Sequence, residues 1–357
     1  MEGPLSPHII GWRYLQRVLK MKPNVMIILG SGTDYMVAEK AMNVFEELKI
    51  PYDLKVASAH RTYEKVKRIV LDSFKNGVEV FIGIAGLSAH LPGIIAANTH
   101  RPVVGVPVDV KIGGLDALFA CSQMPFPVPV ATVGIDRGEN GAILAAQIIG
   151  THNEKVKSRI IKFKKGYYEK VERDESQLIN NIEGNYYSPI ETETLQLTRK
   201  TSKEKTPDKS DPLVSVIPGS YSDMKITKKI TMFLDRLGIS YDLNVISPIR
   251  YPERFQEYIE NMETVKLFIA ISGLSAHVTG AIAALTDKPV IGVPCAINKF
   301  SIDSLLSMVN MPPGTPVGTV GVGNGGNAAI LAGEILGIQN EKIEARIKRL
   351  KGRSVNL

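Results

Sequence analysis

The feature that most constrains this chain is an internal repeat, because the same unit of sequence occurs twice in order. Residues 28–34 recur as residues 217–223, with an offset of 189 that aligns Ser31 with Ser220. The segment Gly-Leu-Ser-Ala-His at 86–90 recurs unchanged at 273–277, now with an offset of 187. The chain is therefore a tandem duplication in which the second copy lost two residues between these motifs.

Each copy has the pattern of an α/β domain. Short apolar segments such as Val25–Leu29 end in turns, and they alternate with segments such as Val37–Leu48 whose apolar residues have helical spacing. This alternation predicts a parallel sheet covered by helices on both faces. With right-handed crossovers, we expect two tandem flavodoxin-like three-layer (α/β/α) domains with parallel sheets.

Composition divides the chain into four regions. Residues 191–212 are rich in Thr, Lys, Glu, Ser and Asp and nearly lack large apolar side chains, which indicates a linker. We predict an N-terminal extension at 1–23, a first domain at 24–165, a linker at 166–212 and a second domain at 213–357.

Charge and cysteine content exclude several classes of protein. The formal net charge of +7 over 357 residues is modest, and a small anionic substrate suits it as well as a nucleic acid does. The basic residues form no single patch interleaved with aromatic residues, so we expect no nucleic-acid partner. Much of the excess lies in Lys-rich helices at 155–165 and 342–351, which we interpret as solvated faces or inter-subunit arms. The two cysteines, Cys121 and Cys295, are too few for a disulfide scaffold and indicate buried side chains in a reducing cytoplasm. The longest apolar runs, about ten residues, are half of what a bilayer span requires, so we expect no membrane association.

Two polar segments of the first copy follow its first two predicted strands. The turn at 30–34 offers backbone amides and the hydroxyls of Ser31 and Thr33 to an anion. The segment at 58–62 adds Arg61, which can bind phosphate bidentately. Helix capping is the alternative interpretation of the first turn, and a polar loop with an ordinary histidine, His60, is the alternative for the second.

A third segment, at 86–93, follows the third predicted strand. Its small residues are typical of a loop that closes over a ligand, although a tight turn capped by His90 explains them equally well. In a parallel sheet the carboxyl ends of consecutive strands lie side by side, where ligands bind. The three segments together therefore predict one crevice, which none of them predicts alone.

The motifs in this order resemble those of one known family. They include Gly-Ser-Gly-Thr-Asp at 30–34, Ser-Ala-His-Arg-Thr at 58–62, Ala-His-Leu-Pro-Gly at 89–93 and Gly-Val-Pro-Val at 105–108. The chain resembles the class I 5-(carboxyamino)imidazole ribonucleotide mutases of purine biosynthesis, also described as the aminoimidazole ribonucleotide carboxylase catalytic subunit. The resemblance covers about residues 24–163 and again those from 213 onward.

The resemblance implies an isomerase that moves a carboxylate from the exocyclic nitrogen to carbon 4 of an imidazole ribonucleotide. It implies no cofactor and no metal, because carbon 4 is already an enamine-like nucleophile, and it gives His60 the role of general acid/base. The other residues implied to contact substrate are Ser31, Thr33, Ser58 and Arg61 at the 5′-phosphate, Asp34 at the ribose, and Gly86, Ser88, Ala89, His90 and Leu91 around the imidazole. Leu87-Ser88 replaces the usual Gly-Ala of the family, so the carboxylate contacts of that loop are open.

The second copy has Ile249 where the first has His60, so a self-contained site there is expected to be chemically inactive. One hypothesis is that it instead lends His277 or its carboxyl-terminal segment to sites of the first copy. The family's homo-octamer implies a tetramer of these two-domain chains. The residues retained at a possible second nucleotide site are Ser220, Ser222, Asp223, Ser247, Arg250 and His277.

Two alternative functions stay open from the sequence. The first is a carboxylase of the same fold that uses dissolved carbon dioxide directly on the aminoimidazole. The second is a non-catalytic nucleotide-binding regulatory protein, which the altered second copy favours.

Overall fold

The computed structural model describes residues 22–180, 211–296 and 302–352 as one α/β structure made of two similar halves. The first copy contains β1 (Val25–Leu29), α1 (Tyr35–Leu48), β2 (Tyr52–Val56), α2 (Tyr63–Lys75), β3 (Val80–Gly86), α3 (Leu91–Ala97), β4 (Val103–Val108), α4 (Leu115–Ser122), β5 (Ala131–Thr132), α5 (Gly138–Gly150) and α6 (Glu154–Asn180). The second contains β6 (Val214–Pro218), α7 (Met224–Leu237), β7 (Tyr241–Leu243), α8 (Pro252–Glu260), β8 (Leu267–Ser272), α9 (His277–Leu285), β9 (Val290–Pro294), α10 (Ile302–Val309), β10 (Gly318–Thr319), α11 (Gly325–Leu336) and α12 (Glu341–Leu350).

All of these strands belong to one ten-stranded sheet with the order β2-β1-β3-β4-β5-β10-β9-β8-β6-β7. Within each copy the strands are parallel. The order 2-1-3-4-5 of the first half is the flavodoxin-like order, and the second half repeats it. Strands β1, β4, β6, β8 and β9 are buried along their whole length, as continuous Val- and Ile-rich strands covered on both faces should be. The predicted fold class is confirmed.

The two halves meet at one antiparallel strand pair, β5 with β10. In that pair Thr132 lies opposite Thr319, which is its own equivalent at the offset of 187. A residue that pairs with its own equivalent marks a pseudo-twofold axis, here perpendicular to the sheet. Because the strands of the two copies run in opposite directions, the carboxyl ends of β1–β3 and of β6–β8 lie at opposite ends of the sheet.

Helix packing also joins the copies. On one face a single hydrophobic core runs under α1, α5, α7 and α11, across both halves. On the other face each copy has its own cluster, around Phe81 in the first and Phe268 in the second. A small cluster containing the equivalent residues Leu118 and Leu305 lies between them at the pseudo-twofold axis. The two copies are therefore one packed body rather than two separate domains.

Helix α6 extends from the first copy onto the second. Its Lys164, only 4% exposed, donates to the carbonyl oxygens of Ala283 (3.1 Å) and Thr286 (2.8 Å) at the carboxyl end of α9. A cation is favourable there because carbonyl groups at a helix carboxyl end carry partial negative charge. Tyr168 donates to the carbonyl oxygen of Ala284 (3.2 Å).

The second copy returns the same contact. Lys351, the residue after α12, donates to the carbonyl oxygens of Ala96 (3.5 Å) and Thr99 (3.1 Å) beside α3 and pairs with the carboxylate of Glu334. Lys351, Ala96 and Thr99 are the equivalents of Lys164, Ala283 and Thr286 at the offset of 187. The view of both Lys-rich helices as solvated faces is wrong for these two lysines, because each is buried against the other copy.

The expected start of the linker also needs correction. Residues 166–180 of the expected linker continue α6: Tyr167 lies beside Gly314 and Tyr168 bonds to Ala284 of the second copy, while residues 169–174 are exposed. Residues 181–210, and residues 1–21 of the expected extension, lie outside the described ranges. Within the described ranges, no helix combines the length and apolar character needed to span a bilayer.

One asparagine from each copy hydrogen-bonds the backbone of the other. Asn140, 1% exposed, donates from Nδ2 to the carbonyl oxygens of Met311 (3.2 Å) and Pro312 (3.0 Å). Its Oδ1 accepts from the backbone N–H of Gly314 at 2.9 Å. The carboxamide of Asn140 is therefore fully used in holding the two halves together.

The equivalent asparagine, Asn327, is satisfied only in part. Its Nδ2 donates to the carbonyl oxygens of Met124 (3.1 Å) and Pro125 (3.3 Å), but its buried Oδ1 has no partner among the described residues. The reason is chemical: the equivalent of Gly314 is Pro127, which has no backbone N–H to donate.

We expect Asn140→Ala to lower the free energy of unfolding by at least about 1 kcal/mol more than Asn327→Ala, because it leaves one more buried backbone group without a partner. Urea unfolding curves of the full chain provide the measurement, with the exposed Asn76→Ala, whose bond to Asp72 is local, as the control. Equal losses for the two variants would contradict this account of the interface.

Candidate functional site

A cleft of about 440 Å³ opens at the carboxyl ends of β1 and β2. The strand order puts β1 between β2 and β3, so the three polar segments predicted from the sequence are neighbours in space. The residues that line the cleft are Gly30, Ser31, Gly32, Val56, Ala57, Ser58, Arg61, Thr62 and Lys65.

The first wall of the cleft is the turn after β1. Ser31 has extended backbone and begins a short 3₁₀ turn, Gly32–Asp34. The backbone N–H of Ser31 donates to Asp34 Oδ2 (3.1 Å), and the hydroxyl of Thr33 donates to Ser31 Oγ (2.9 Å) and faces Asp34 Oδ1 (3.3 Å). Ser31 is therefore the capping residue of this turn, whereas Asp34, which the sequence suggests as the helix cap, makes no side-chain capping bond to α1. The capping bonds also fix the hydroxyl of Ser31 at the cleft wall.

Asp34 is buried and is not among the residues that line the cleft. Burial raises the pKa of its carboxyl group above the ordinary value of 3.8, against the opposing effect of the hydrogen bonds from Ser31 and Thr33. The nearby charge of Asp136 raises this pKa further. The turn therefore holds a carboxylate at a cost to stability.

The second wall is the turn between β2 and α2. Ser58 Oγ accepts from the backbone N–H of Arg61 (3.3 Å), and Thr62 Oγ1 accepts from the backbone N–H of Ser58 (2.9 Å). The side chain of Arg61 is exposed, and its guanidinium has no partner among the described residues. The turn is thus fixed by its own hydrogen bonds while its cation faces the open cleft.

His60 is exposed next to this wall and contacts the third segment. Its Nε2 lies 2.8 Å from Nδ1 of His90, and the two rings meet edge to face with centroids 4.9 Å apart. His90 begins α3 but makes no capping bond, so the capping interpretation of this residue is not supported. At such a contact one nitrogen carries the proton and the other accepts it.

The loop between β3 and α3 has an unusual backbone. Leu87 and Ala89 have positive φ angles of 53° and 32°, which are unfavourable for residues with a Cβ. Ser88 and His90 are exposed, whereas the side chains of Ala89 and Leu91 are buried. Ala89 and Leu91 can therefore meet a ligand only through backbone groups.

Sequence reasoning missed Lys65. It lies in the first turn of α2 and lines the cleft, and its ammonium has no partner among the described residues. A cation is unfavourable near the amino end of a helix, where the backbone N–H groups carry partial positive charge. A lysine on an amphipathic helix is usually a solvated residue, so only the geometry singles this one out.

The second copy repeats both turns, which together we call the cradle, at the opposite end of the sheet. The backbone N–H of Ser220 donates to Asp223 Oδ2 (3.1 Å), and the hydroxyl of Ser222 donates to Asp223 Oδ1 (3.3 Å). The backbone N–H of Arg250 donates to Ser247 Oγ (3.4 Å). His277 begins α9 in this half, so within one chain it cannot reach the cleft of the first copy.

The remaining candidates have structural roles. Both cysteines are buried, and burial raises the pKa of Cys121 to about 12, which excludes it as a nucleophile near neutral pH. In residues 22–180, 211–296 and 302–352, no three or more His, Cys, Asp or Glu side chains are grouped to hold a metal ion.

Comparison with known proteins gives consistent matches. The sequence profile of the AIR carboxylase family matches residues 24–170 and again residues 213–356. A probable N5-carboxyaminoimidazole ribonucleotide mutase from Methanothermobacter thermautotrophicus is 72% identical over 335 residues, which cover 94% of this chain and 99% of that protein. Another from Methanobrevibacter smithii is 48% identical and covers 94% of this chain and all of that protein (100%).

Shorter relatives match one copy. The N5-carboxyaminoimidazole ribonucleotide mutase of Methanocaldococcus jannaschii is 50% identical over 147 residues, which are 41% of this chain and 92% of that protein. The crystal structure of Treponema denticola PurE is 26% identical, with a TM-score of 0.39, and covers 44% of this chain and 98% of that one.

We expect Asp34→Asn to raise the urea midpoint of unfolding at pH 7. The variant keeps an oxygen that accepts from Ser31, but it removes a charge whose pKa burial raises. For a raised pKa, the penalty is fully present above the native-state pKa and disappears below the ordinary value of 3.8, where both states bind the proton.

The difference between Asp34→Asn and the unaltered chain should therefore shrink as the pH falls toward 3.8. Asp223→Asn is the matched variant in the second copy, because burial raises the pKa of that carboxyl group too. A lower midpoint for Asp34→Asn at pH 7 would show that the ionised carboxylate stabilises the turn.

Proposed function

The chain belongs to the AIR carboxylase family, and from this membership we propose that it is an N5-carboxyaminoimidazole ribonucleotide mutase, an isomerase of purine biosynthesis. The observation that carries the proposal is the position of the His60–His90 pair beside a cleft lined by hydroxyls and cations. This arrangement offers a proton-transferring group next to an anion-binding wall, which a cofactor-free transfer of carboxylate needs.

The phosphate anchor holds the substrate in place. Ser31, Ser58 and Arg61 line one cleft, so a 5′-phosphate bound between the two turns would receive hydroxyl hydrogen bonds and a bidentate guanidinium contact. The phosphate is remote from the reacting carbon. Its binding energy positions the imidazole ring instead of taking part in the bond changes.

The ring is then held near the histidine pair. In the reaction the bond between the exocyclic nitrogen and the carboxyl carbon breaks, and that nitrogen gains a proton. Carbon 4 attacks the released carbon dioxide and then loses its own proton. The reaction thus needs one proton delivered and one removed, with no net change.

The histidine pair can do both. If Nε2 of His60 donates to Nδ1 of His90, then Nδ1 of His60 is a base and Nε2 of His90 is an acid. Reversing the shared proton reverses both roles. A proton taken up at one outer nitrogen therefore allows another to leave from the other outer nitrogen, which leaves the pair in the reversed state. Because both side chains are exposed, exchange of protons with water at the outer nitrogens restores the starting state.

The loop after β3 supplies the closing wall around the ring. Its buried Ala89 and Leu91 leave no bulky side chain between the backbone and the ligand. In this proposal the backbone of the loop keeps carbon dioxide beside carbon 4, which is catalysis by proximity. Gly86 and Ser88 complete the loop contacts in this proposal.

Two wider assignments belong to the same proposal. We place the enzyme in the cytoplasm, where purine nucleotides are made. The pseudo-twofold body already acts as two family units, so four chains would supply the eight units that the sequence resemblance implies.

We expect His60→Asn to lower kcat at least about 100-fold, because general acid–base catalysis contributes that much, while KM changes only a few-fold. The assay follows conversion of N5-carboxyaminoimidazole ribonucleotide, and separately of aminoimidazole ribonucleotide with and without bicarbonate. Turnover of only the second substrate would overturn the mutase in favour of a direct carboxylase.

The control is His152→Asn, which removes an imidazole bonded to Glu79 (3.0 Å) near the amino end of β3. It should keep its turnover. Full activity of His60→Asn together with tight ribonucleotide binding would instead indicate that the proposed acid/base assignment is wrong.

We expect Lys65→Met to raise KM about tenfold or more with little change in kcat, because it removes a charge-assisted contact to the phosphate. Lys65→Arg should retain most of the affinity. Lys67→Met, which removes an exposed cation from the same helix outside the cleft lining, is the matched control. An equal effect of both Met variants would show that Lys65 acts only through the overall positive charge of the helix and makes no contact with the phosphate.

A further inference from the structure

The second copy keeps an anion cradle where the proton-transferring residue is missing. The Ser-to-Asp distance of 3.1 Å is the same in the two copies, as is the hydroxyl-to-Asp distance of 3.3 Å. The bond from the arginine N–H to the serine hydroxyl oxygen is 3.3 Å at Arg61 and 3.4 Å at Arg250. The cradle has therefore been retained as a three-dimensional arrangement.

The cation of this cradle lies where a phosphate would bind. Arg250 Nη2 donates to the carbonyl oxygen of Gly219 at 2.7 Å, which brings the guanidinium of one turn onto the other turn. A phosphate oxygen is a stronger acceptor for a guanidinium than a neutral carbonyl group. A bound anion can therefore replace Gly219 as the partner of Arg250.

The strained loop of the first copy is retained as well. Leu274 and Ala276 have φ angles of 53° and 46°, at the positions of Leu87 and Ala89. Residues with a Cβ persist in this conformation only where the surroundings impose it, and such residues concentrate at functional sites. The loop therefore keeps an unfavourable backbone conformation in a copy whose Ile249 cannot transfer a proton.

Three residues beside the cradle are larger and more apolar in the second copy than in the first. Tyr221 replaces Gly32, Ile249 replaces His60, and Tyr251 replaces Thr62. Their side chains are 80%, 67% and 59% exposed, respectively. Two tyrosines and an isoleucine around an anion cradle offer flat apolar surface to a heterocyclic base, and aromatic side chains stack on bases.

This second cradle is separate from the first cleft. The strands that carry them, β1 and β6, are seven positions apart in the sheet and face opposite ends, which puts the two sites about 30 Å apart. Each site can therefore be filled and counted independently within one chain.

We propose that the second copy is a binding site for a purine nucleoside 5′-monophosphate, held at its phosphate by Ser220, Ser247 and Arg250 and at its base by Tyr221, Ile249 and Tyr251, and bound without turnover. Tyr221, Ile249 and Tyr251 offer a two-ring base more apolar surface than Gly32, His60 and Thr62 do in the first copy.

The test counts adenosine 5′-monophosphate bound per chain by equilibrium dialysis, using the full-length protein. The Arg61→Met variant, whose first cleft lacks its phosphate cation, should still bind one molecule per chain. Adding Arg250→Met should abolish that binding. Adding Arg236→Met instead should leave it intact, because this exposed arginine stacks on Phe233 in the last turn of α7.

The base contacts are tested by restoring the residues of the first copy. In the Arg61→Met background, Tyr221→Gly with Tyr251→Thr should weaken adenosine 5′-monophosphate binding about tenfold while ribose 5-phosphate binding stays within about twofold.

Three results would overturn the proposal. One is no bound adenosine 5′-monophosphate in Arg61→Met. Another is an equal loss from Arg236→Met and Arg250→Met. The third is a double tyrosine variant that changes the oligomer size by light scattering but not the nucleotide affinity, which would assign the tyrosines to a protein contact.

Discussion

The antiparallel pairing of Thr132 with Thr319 determines the arrangement of everything else in this chain. Each copy alone is a five-stranded sheet whose last strand has only two residues, too short to protect the edge of a sheet. Pairing the two edges closes both at once and places the clefts at opposite ends. The same pairing brings α5 and α11 over one continuous core, so that neither half keeps its buried surface without the other.

An interface between two copies in one chain can become asymmetric in a way that a homodimer cannot. Gly314 donates to Asn140, while its equivalent Pro127 cannot donate to Asn327. The buried hydroxyls of Thr132 and Thr319, both without a partner among the described residues, lie at the pseudo-twofold axis itself. In a homodimer every substitution occurs in both subunits. In this chain a substitution changes only one copy, so one copy can lose a hydrogen bond that the other keeps. The reciprocal contacts of Lys164 and Lys351 show that the larger docking contacts were retained on both sides.

The strands, the helices and the convergence of three loops could be predicted from the sequence. They depend on local periodicity and on the fact that the carboxyl ends of parallel strands lie at the same edge of a sheet. The strand at Val25–Leu29 has the predicted bounds, since its continuous apolar residues and the turn after it specify it locally. The pairing of β5 with β10, and the extension of α6 through residues 166–180 of the expected linker, could not be predicted, because neither follows from the local sequence pattern. His60 and His90 are thirty residues apart, and the order of β2, β1 and β3 predicts that they lie near each other. It does not predict that their ring nitrogens share a hydrogen bond.

The geometry of the two cradles and the proposed proton transfer depend on different residues. The capping bonds of Ser31 and Ser220 are also the bonds that shape the turns, so folding itself preserves the geometry of both turns. Nothing in the fold requires a histidine at position 60, because that side chain is exposed and contributes no burial. Replacing it with isoleucine in the second copy therefore costs little in stability, and under the proposed role of His60 it removes the proton transfer. The positive φ angles of Leu274 and Ala276, by contrast, lower the stability of the fold. Their presence in the second copy is therefore stronger evidence for a function of that copy than the cradle, which folding itself maintains.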